Sequence, residues 1–206
     1  MTNTVELLGY YGSDLTHAQS AWTSTSRDIT EEKRNRIPQL LEMLASQGHH
    51  TPFEKSSLHF LVTVDQATHI HLLKHRIGVS INGESARYKE LKENKFVIPD
   101  DWPDELKKTL MAYTIATNTV YHQVLDALTP TLGRKRAKES ARFFKMMNSQ
   151  ISMDIMFNFR SFVHFLTLRY DEAAQKEVRE LAGQMLDLVR NIEGNPFEHT
   201  LKAFKY

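Results

Sequence analysis

The chain has 206 residues, a length that suits one domain, and a formal net charge of +1. A near-neutral chain lacks the broad basic field that drives non-specific binding to nucleic acids or membranes, so we expect neither as a partner. No signal peptide pattern and no apolar run of about 20 residues are present, which predicts a cytoplasmic protein. Cysteine is absent, and this excludes disulfides, thiolate metal sites and cysteine nucleophiles.

Periodicity along the chain predicts a mixture of strands and helices. Strands are expected at residues 5–11, 58–64, 96–98 and 151–159, where β-branched and aromatic residues are frequent. Helices are expected after Ser13 up to about residue 25, from Thr30 to Gly48, and from Asp65 through Ile77. Further helices are predicted over 103–130, 134–142, 161–169 and 171–194. The fold class is therefore α/β (mixed α+β), with residues 1–206 forming a single domain in which long helices flank a small sheet.

The residue types in the segment from Lys74 to Tyr88 are harder to explain by a structural role alone than those elsewhere in the chain. Lys74, His75 and Arg76 are adjacent, and a turn-prone segment then leads to Ser85 and Arg87. A planar guanidinium matches phosphate geometry, a serine hydroxyl adds a short donor, and glycine lets the backbone approach a ligand closely. The segment predicts an anion site, while a solvated basic loop remains the alternative.

Two further segments carry polar residues of interest. His49, His50, Thr51 and Glu54 lie in a turn-like stretch before a predicted strand, where a metal site is conceivable and ligand binding and a purely structural loop both stay open. His71 and His75 are four residues apart on a predicted helix, the spacing that binds zinc in metallohydrolases. The glutamate of that hydrolase motif is replaced by Leu72, so a zinc-dependent hydrolase is a minor alternative and no metal site is predicted.

Several of these segments together resemble the motifs of the flavin-dependent thymidylate synthases. The main motif is a basic residue, His-Arg, seven or eight residues, and Ser-x-Arg-Tyr; eight residues separate Arg76 from Ser85 here. Gly48 to Glu54 is similar to Gly-His-x-Thr-Pro-x-Glu, and residues 158–169 match Asn-x-Arg-x-x-x-His-Phe-Leu-x-Leu-Arg. An Ala-Arg pair ends at Arg142, 27 residues before Arg169, and Ala-Gln-x-Glu follows at 174–177. The chain departs from the pattern at Lys74, where Arg or Gln is usual, and at Met146-Met147, where Leu-Pro is usual.

The resemblance implies a fold of the thymidylate synthase-complementing protein type and a methyltransferase. Such an enzyme methylates dUMP to dTMP with FAD as cofactor, methylenetetrahydrofolate as carbon donor and NADPH as reductant. It also implies a homotetramer with shared active sites. A non-catalytic uridylate-binding module is the other alternative, since a binding site alone does not require turnover.

Residue roles are implied by position within the motifs. The catalytic residue would be Arg169, which polarises the uracil. Residues implied in FAD binding are His49, Thr51, Lys74, His75, Arg76, Gly83, Asn158, Arg160 and His164. Residues implied in dUMP binding are His71, Lys74, Gly83, Glu84, Ser85, Ala86, Arg87, Arg142 and Arg169.

Overall fold

The strands of the described residues form a four-stranded antiparallel sheet. The structure, a computed structural model, describes residues 2–85, 87–91 and 94–206. The sheet has the strand order β1-β2-β4-β3, formed by β1 (Thr4–Tyr11), β2 (Ser57–Asp65), β3 (Val79–Gly83) and β4 (Gln150–Asn158). Three of these strands were predicted, whereas β3, inside the predicted anion segment, was not. The strand expected at 96–98 is reduced to a single bridge between Phe96 and Ser149.

Eight α-helices are found among the described residues, and together with the sheet they confirm the mixed class. They are α1 (Asp14–Trp22), α2 (Glu31–Asn35), α3 (Ile37–Ser46), α4 (Gln66–Leu72), α5 (Asp104–Ala141), α6 (Phe159–Arg169), α7 (Lys176–Arg190) and α8 (Glu198–Ala203). Short 3₁₀ turns span Thr51–Glu54 and Arg142–Phe144. No helix in the described part of the chain is long and apolar enough to cross a membrane.

Side-chain caps explain where several helices begin. The side chains of Ser13, Asp65 and Asn158 each accept a hydrogen bond from the backbone N–H three residues later, at the start of α1, α4 and α6. The caps at Ser13 and Asp65 were predicted. Asn158 both ends β4 and starts α6, so the chain turns directly from the sheet into the helix that carries Arg169.

Helix α4 is shorter than predicted. It ends at Leu72, where the N–H of Leu73 closes the last turn on the carbonyls of His69 and His71. Because His75 lies beyond this end, His71 and His75 do not share a helix face, and the zinc-hydrolase reading of their spacing is wrong. No group of three or more His, Asp or Glu side chains in the described ranges is arranged to hold a metal ion.

Two other helix boundaries differ from the prediction. The span of α5 consists of two helical segments separated at Gly133, whose dihedral angles (φ 73°, ψ 152°) are not helical and suit glycine. The first segment continues past Pro130, where its end was predicted, and the second agrees with the helix predicted over 134–142. Helix α7 begins at Lys176 rather than at Asp171. The carboxylate of Asp171 instead accepts from the N–H of Ala173 in a local turn, at 2.8 Å.

The chain divides into two compact units. Unit 1 comprises residues 1–4, 62–73 and 82–153, and contains a core cluster of Tyr121, Leu125, Ala137 and Ala141. Unit 2 comprises residues 5–61, 74–81 and 154–206. Its helical core contains Ala18, Ile37, Leu41, Leu44 and Phe53. A second aromatic cluster of unit 2 brings together Phe60, Phe157, Phe162 and Phe165.

Candidate functional site

A cavity of about 890 Å³ lies within unit 2, within the usual size range for sites that bind small molecules and cofactors. Its walls come from the segment that follows α4 and from the first turns and the end of α6. The residues implied by the motifs that line it are Lys74, His75, Arg76, Asn158, Arg160, His164 and Arg169. Two segments far apart in sequence therefore bring their predicted side chains into one cavity.

The junction between these two segments is tightly packed. The N–H of Asn158 donates to the carbonyl of Gly78 (2.9 Å), and the hydroxyl of Ser161 donates to the carbonyl of Ile77 (2.7 Å). Gly78 has φ +66°, and a Cβ built there would lie 2.2 Å from Nδ2 of Asn158. Only glycine satisfies both the dihedral angle and the close approach. These contacts hold the basic segment against the start of α6.

Charge in the cavity is predominantly positive. Lys74, Arg76, Arg160 and Arg169 line it, and Glu54 is its one acidic lining residue among those described. Nη1 of Arg160 donates to Oε1 of Glu54 at 2.5 Å. The remaining cations outnumber this carboxylate, so the cavity suits a ligand with more than one negative charge.

Arg169, at the C-terminal end of α6, is partly buried and contacts a second predicted residue. Its Nε–H donates to Nε2 of His75 at 3.0 Å. His75 is buried, and its ring packs against Phe165 with a centroid distance of 5.1 Å. The guanidinium of Arg169 is therefore oriented by a side chain from the basic segment.

His49 and Thr51 are both exposed and lie outside the lining of this cavity. Their neighbours His50 and Glu54 do line it, and the ring of His50 packs against Phe204 at 5.4 Å. The family motifs assigned no role to His50, Ser161 or Phe204. The local signal for His50 was the pair of histidines near Glu54, and that for Ser161 was its third position after the N-cap residue Asn158.

The remaining implied dUMP residues lie in unit 1, apart from Ala86, which is outside the described residues. Glu84 is held by two partners: its Oε2 accepts from the N–H of Ser152 at 3.0 Å, and its Oε1 from Lys89. Burial alone would raise the pKa of Glu84, but these bonds and the nearby charges of Lys89 and Lys95 lower it. Glu84 is therefore an anion, and its side chain is engaged within the protein.

Arg87 is exposed and paired with helix α5. Its Nε donates to Oε1 of Glu139 at 2.6 Å, and this bond raises the pKa of Arg87 and lowers that of Glu139. The hydroxyl of Ser85 accepts from the N–H of Arg87 at 3.3 Å. Ser85 and Arg87 are therefore in direct contact.

Three other implied residues of unit 1 have simple environments. His71 lies in the last turn of α4 and is half-buried, and Gly83 ends β3 with its Cα exposed beside Met153. Arg142 is exposed at the first position of the 3₁₀ turn after α5.

The fold and the cationic cavity define an enzyme-like site for an anionic ligand within a small-sheet α/β protein. The family described as Thymidylate synthase complementing protein matches residues 6–193, and the chain belongs to that family. The family predicted from the motifs is therefore confirmed, as is the predicted class of enzyme, a methyltransferase.

Individual relatives agree with this assignment. A flavin-dependent thymidylate synthase from Clostridium tetani is 27% identical over 187 residues, covering 85% of this chain and 74% of the relative. Another from Pseudothermotoga lettingae is 29% identical over 192 residues, covering 91% and 85%. A crystal structure of the UMP/dUMP methylase PolB from Streptomyces cacaoi with bound 5-Br dUMP superposes with a TM-score of 0.84. It is 26% identical and covers 98% of this chain and 94% of PolB.

Proposed function

We propose that this protein is a flavin-dependent thymidylate synthase that methylates dUMP. In the reaction, dUMP, methylenetetrahydrofolate, NADPH and a proton become dTMP, tetrahydrofolate and NADP⁺. The observation that carries the proposal is the convergence of the His75-Arg76 segment and the Asn158-to-Arg169 segment on one cationic cavity. The relatives support the same chemistry, because two are named flavin-dependent thymidylate synthases and the structural neighbour is a UMP/dUMP methylase.

The residues of the cavity fit FAD, the cofactor that family membership implies. A flavin dinucleotide combines an anionic diphosphate with a flat aromatic ring system. Lys74, Arg76 and Arg160 offer donors for the diphosphate, while Val163 and Leu168 offer apolar surface for a ring. Gly78 keeps the backbone close to Asn158 without a side chain between them. Asn158 and His164 would add polar contacts, and His49 and Thr51 remain implied by the motifs.

Bound FAD would supply the redox step, passing reducing equivalents from NADPH to the methylene carbon. The chain has no cysteine, so it cannot activate the uracil ring by adding a thiolate. In its place the fixed guanidinium of Arg169 would stabilise negative charge on the uracil as N3 loses its proton. Arg169 thus has the catalytic role, and the protein's other groups bind and orient the substrates.

The dUMP phosphate and sugar would be held by Ser85, Ala86 and Arg87. Arg87 offers charge-assisted donors for the phosphate, and Ser85 adds a hydroxyl. His71 and Lys74 would border the substrate, Gly83 and Glu84 would contact it, and Arg142 would reach the base. Residues 1–206 would act as one catalytic domain.

Assembly is part of the same proposal: the protein forms a homotetramer with shared active sites. Helix α5 supports this, because it exposes the large apolar side chains of Leu106, Met111, Tyr113 and Ile115, which a partner subunit would cover. Sedimentation velocity over a wide concentration range tests it. A monomer at every concentration would contradict it.

Turnover tests the proposed reaction. Purified protein is incubated with dUMP, methylenetetrahydrofolate, NADPH and FAD, and dTMP is measured by chromatography. We expect dTMP only when all three substrates are present. Binding of dUMP without dTMP formation in the complete mixture would instead favour the uridylate-binding alternative.

A further inference from the structure

The hydrogen bond between Arg169 and His75 determines the protonation state of the histidine. An arginine side chain has only donors and stays protonated in proteins. Nε2 of His75, which accepts from Nε–H of Arg169 at 3.0 Å, must therefore carry a lone pair. The imidazole is neutral, and its proton is on Nδ1.

The ring of His75 has little room to turn. The residue is only 6% exposed. Phe165 and His164, both on α6, face its ring edge-on, with centroid distances of 5.1 and 6.2 Å. Rotation of the ring would replace the acceptor Nε2 with a C–H group and break the bond to Arg169.

This bond uses one end of the guanidinium and leaves the other available. Nε of Arg169 is occupied by His75, whereas neither Nη nitrogen has a hydrogen-bond partner in the described part of the chain. Arg169 and His75 both line the cavity. The guanidinium is thus bonded to His75 through Nε, and its two terminal nitrogens are available to a ligand.

We propose that His75 is a positioning residue for Arg169, a role that rests on the proposed function: neutral His75 aims the guanidinium at the uracil. The role differs from the FAD contact implied by the motif, because it acts through Arg169. A misplacement of about 1 Å at a catalytic group lowers turnover by about 10²-fold. The loss should therefore be in kcat rather than in substrate binding.

The kinetic test compares two variants that remove the imidazole. His75→Gln keeps an acceptor, since its amide oxygen can replace Nε2, whereas His75→Leu has similar bulk and no acceptor. We expect His75→Leu to lower kcat by about 10²-fold with a change in KM for dUMP of less than about threefold. The kcat of His75→Gln should be at least about tenfold higher than that of His75→Leu. Rates are normalised to flavin-bound protein, measured by absorbance, so that weaker FAD binding is not read as slower chemistry.

A spectroscopic readout separates this inference from the proposed reaction. In ¹⁵N-labelled protein the Nε–H resonance of Arg169 is assigned by its absence in Arg169→Lys. We expect slow exchange of this proton with solvent in the wild type and in His75→Gln, and exchange at least about tenfold faster in His75→Leu. If the wild type makes no dTMP but the exchange rates follow this pattern, the proposed reaction fails and the positioning contact stands.

Three results would overturn the inference. One is a wild-type kcat in flavin-bound His75→Leu. Another is an Arg169 Nε–H exchange rate that does not change in that variant. The third needs no variant: long-range ¹H–¹⁵N correlations that place the His75 proton on Nε2 in the wild-type protein.

Discussion

Nδ1 of His17 and Oγ1 of Thr200 are 2.9 Å apart in the interior of unit 2, although the two residues lie near opposite ends of the chain. The Thr200 hydroxyl donates to Oδ1 of Asp14 at 2.6 Å, so it accepts from Nδ1–H of His17. Burial lowers the pKa of His17 to about 4, so its imidazole is neutral near pH 7 and Nε2 accepts from the hydroxyl of Ser56 at 2.7 Å. This buried chain of hydrogen bonds ties helix α1 to helix α8.

Acid should therefore destabilise the fold through His17. Burial lowers the pKa of His17 from 6.5 to about 4. Between these pH values the unfolded chain therefore binds a proton at this residue more tightly than the folded protein does. Stability from this residue is complete above the unfolded pKa and is lost as the pH falls from about 6.5 toward 4. The loss by pH 4.5 is about 2 to 3 kcal/mol of the free energy of unfolding. Asp14 opposes it, because burial raises its pKa and makes its ionised form costly above that pKa.

Urea unfolding at several values between about pH 7.5 and pH 4.5 measures this dependence. His17→Gln should be less stable than the wild type at neutral pH, and the difference should shrink as the pH falls. His49→Gln, at an exposed histidine, is the matched control and should follow the wild-type curve. Parallel curves for His17→Gln and the wild type would show that His17 does not cause the acid sensitivity.

Gly78 should be intolerant of any side chain. Gly78→Ala would place a Cβ 2.2 Å from Nδ2 of Asn158 and 2.4 Å from Oγ of Ser161, in addition to the strain of φ +66°. Gly48 has a similar φ of +74° but nothing within 4 Å of its Cβ position, so Gly48→Ala isolates the strain. We expect about 1 to 2 kcal/mol of destabilisation for Gly48→Ala and clearly more for Gly78→Ala, by thermal or urea unfolding. Equal losses would show that Asn158 and Ser161 move aside at little cost.

Motifs were more informative about the cavity than about secondary structure in the same segment. The segment after Ile77 was read as turn-prone, yet β3 begins within it at Val79. Periodicity cannot reveal a strand of five residues with Ser, Asn and Gly in it, because its pairing with β4 supplies the hydrogen bonds. The helix end at Leu72 was missed for a related reason: Leu73 and Ile77 continued the apolar spacing, although both are exposed.

Long-range contacts explain what the sequence could not indicate about the cavity. His50 and Phe204 meet through ring packing between a loop and the C-terminal segment, and no local pattern links those positions. The contact between His75 and Arg169 joins two motifs that were each recognisable, but spacing within a motif gives no distance to another. Motif position thus predicted seven residues of the cavity lining, and the tertiary fold was needed to show which side chains they contact.

Arg87 should bind the phosphate of dUMP. Arg87→Ala removes charge-assisted hydrogen bonds to the phosphate, and we expect a loss of affinity of about 10- to 150-fold. Isothermal titration calorimetry with dUMP measures the loss. Arg136→Ala is the matched control, since Arg136 also contacts Glu139 on α5, at 3.4 Å, but is not part of the motif. A dUMP affinity that is unchanged in Arg87→Ala, or equally reduced in both variants, would contradict the phosphate assignment.

Arg169 should matter more for chemistry than for binding. If its guanidinium stabilises charge that develops on the uracil as N3 ionises, removing it costs more in the transition state than in the ground state. Arg169→Ala should lower turnover by about 10² or more, the scale seen when one oxyanion-type donor is removed. Arg169→Lys should be equally poor, because an ammonium cannot donate to His75 and to the ligand with the planar geometry of a guanidinium.

The measurements for Arg169 are dTMP formation, FAD content by absorbance, and flavin reduction by NADPH without methyl transfer. We expect only the first to fall in either variant, because Arg160, Lys74 and Arg76 would still hold the cofactor. Arg179→Ala is the control, since Arg179 lies on α7, is not part of the cavity lining, and donates to the carbonyl of Glu172. Near wild-type dTMP formation by Arg169→Ala would refute the catalytic role. Loss of the flavin from that variant would show that Arg169 instead supports the cofactor site, because the histidine that it contacts lines the same cavity.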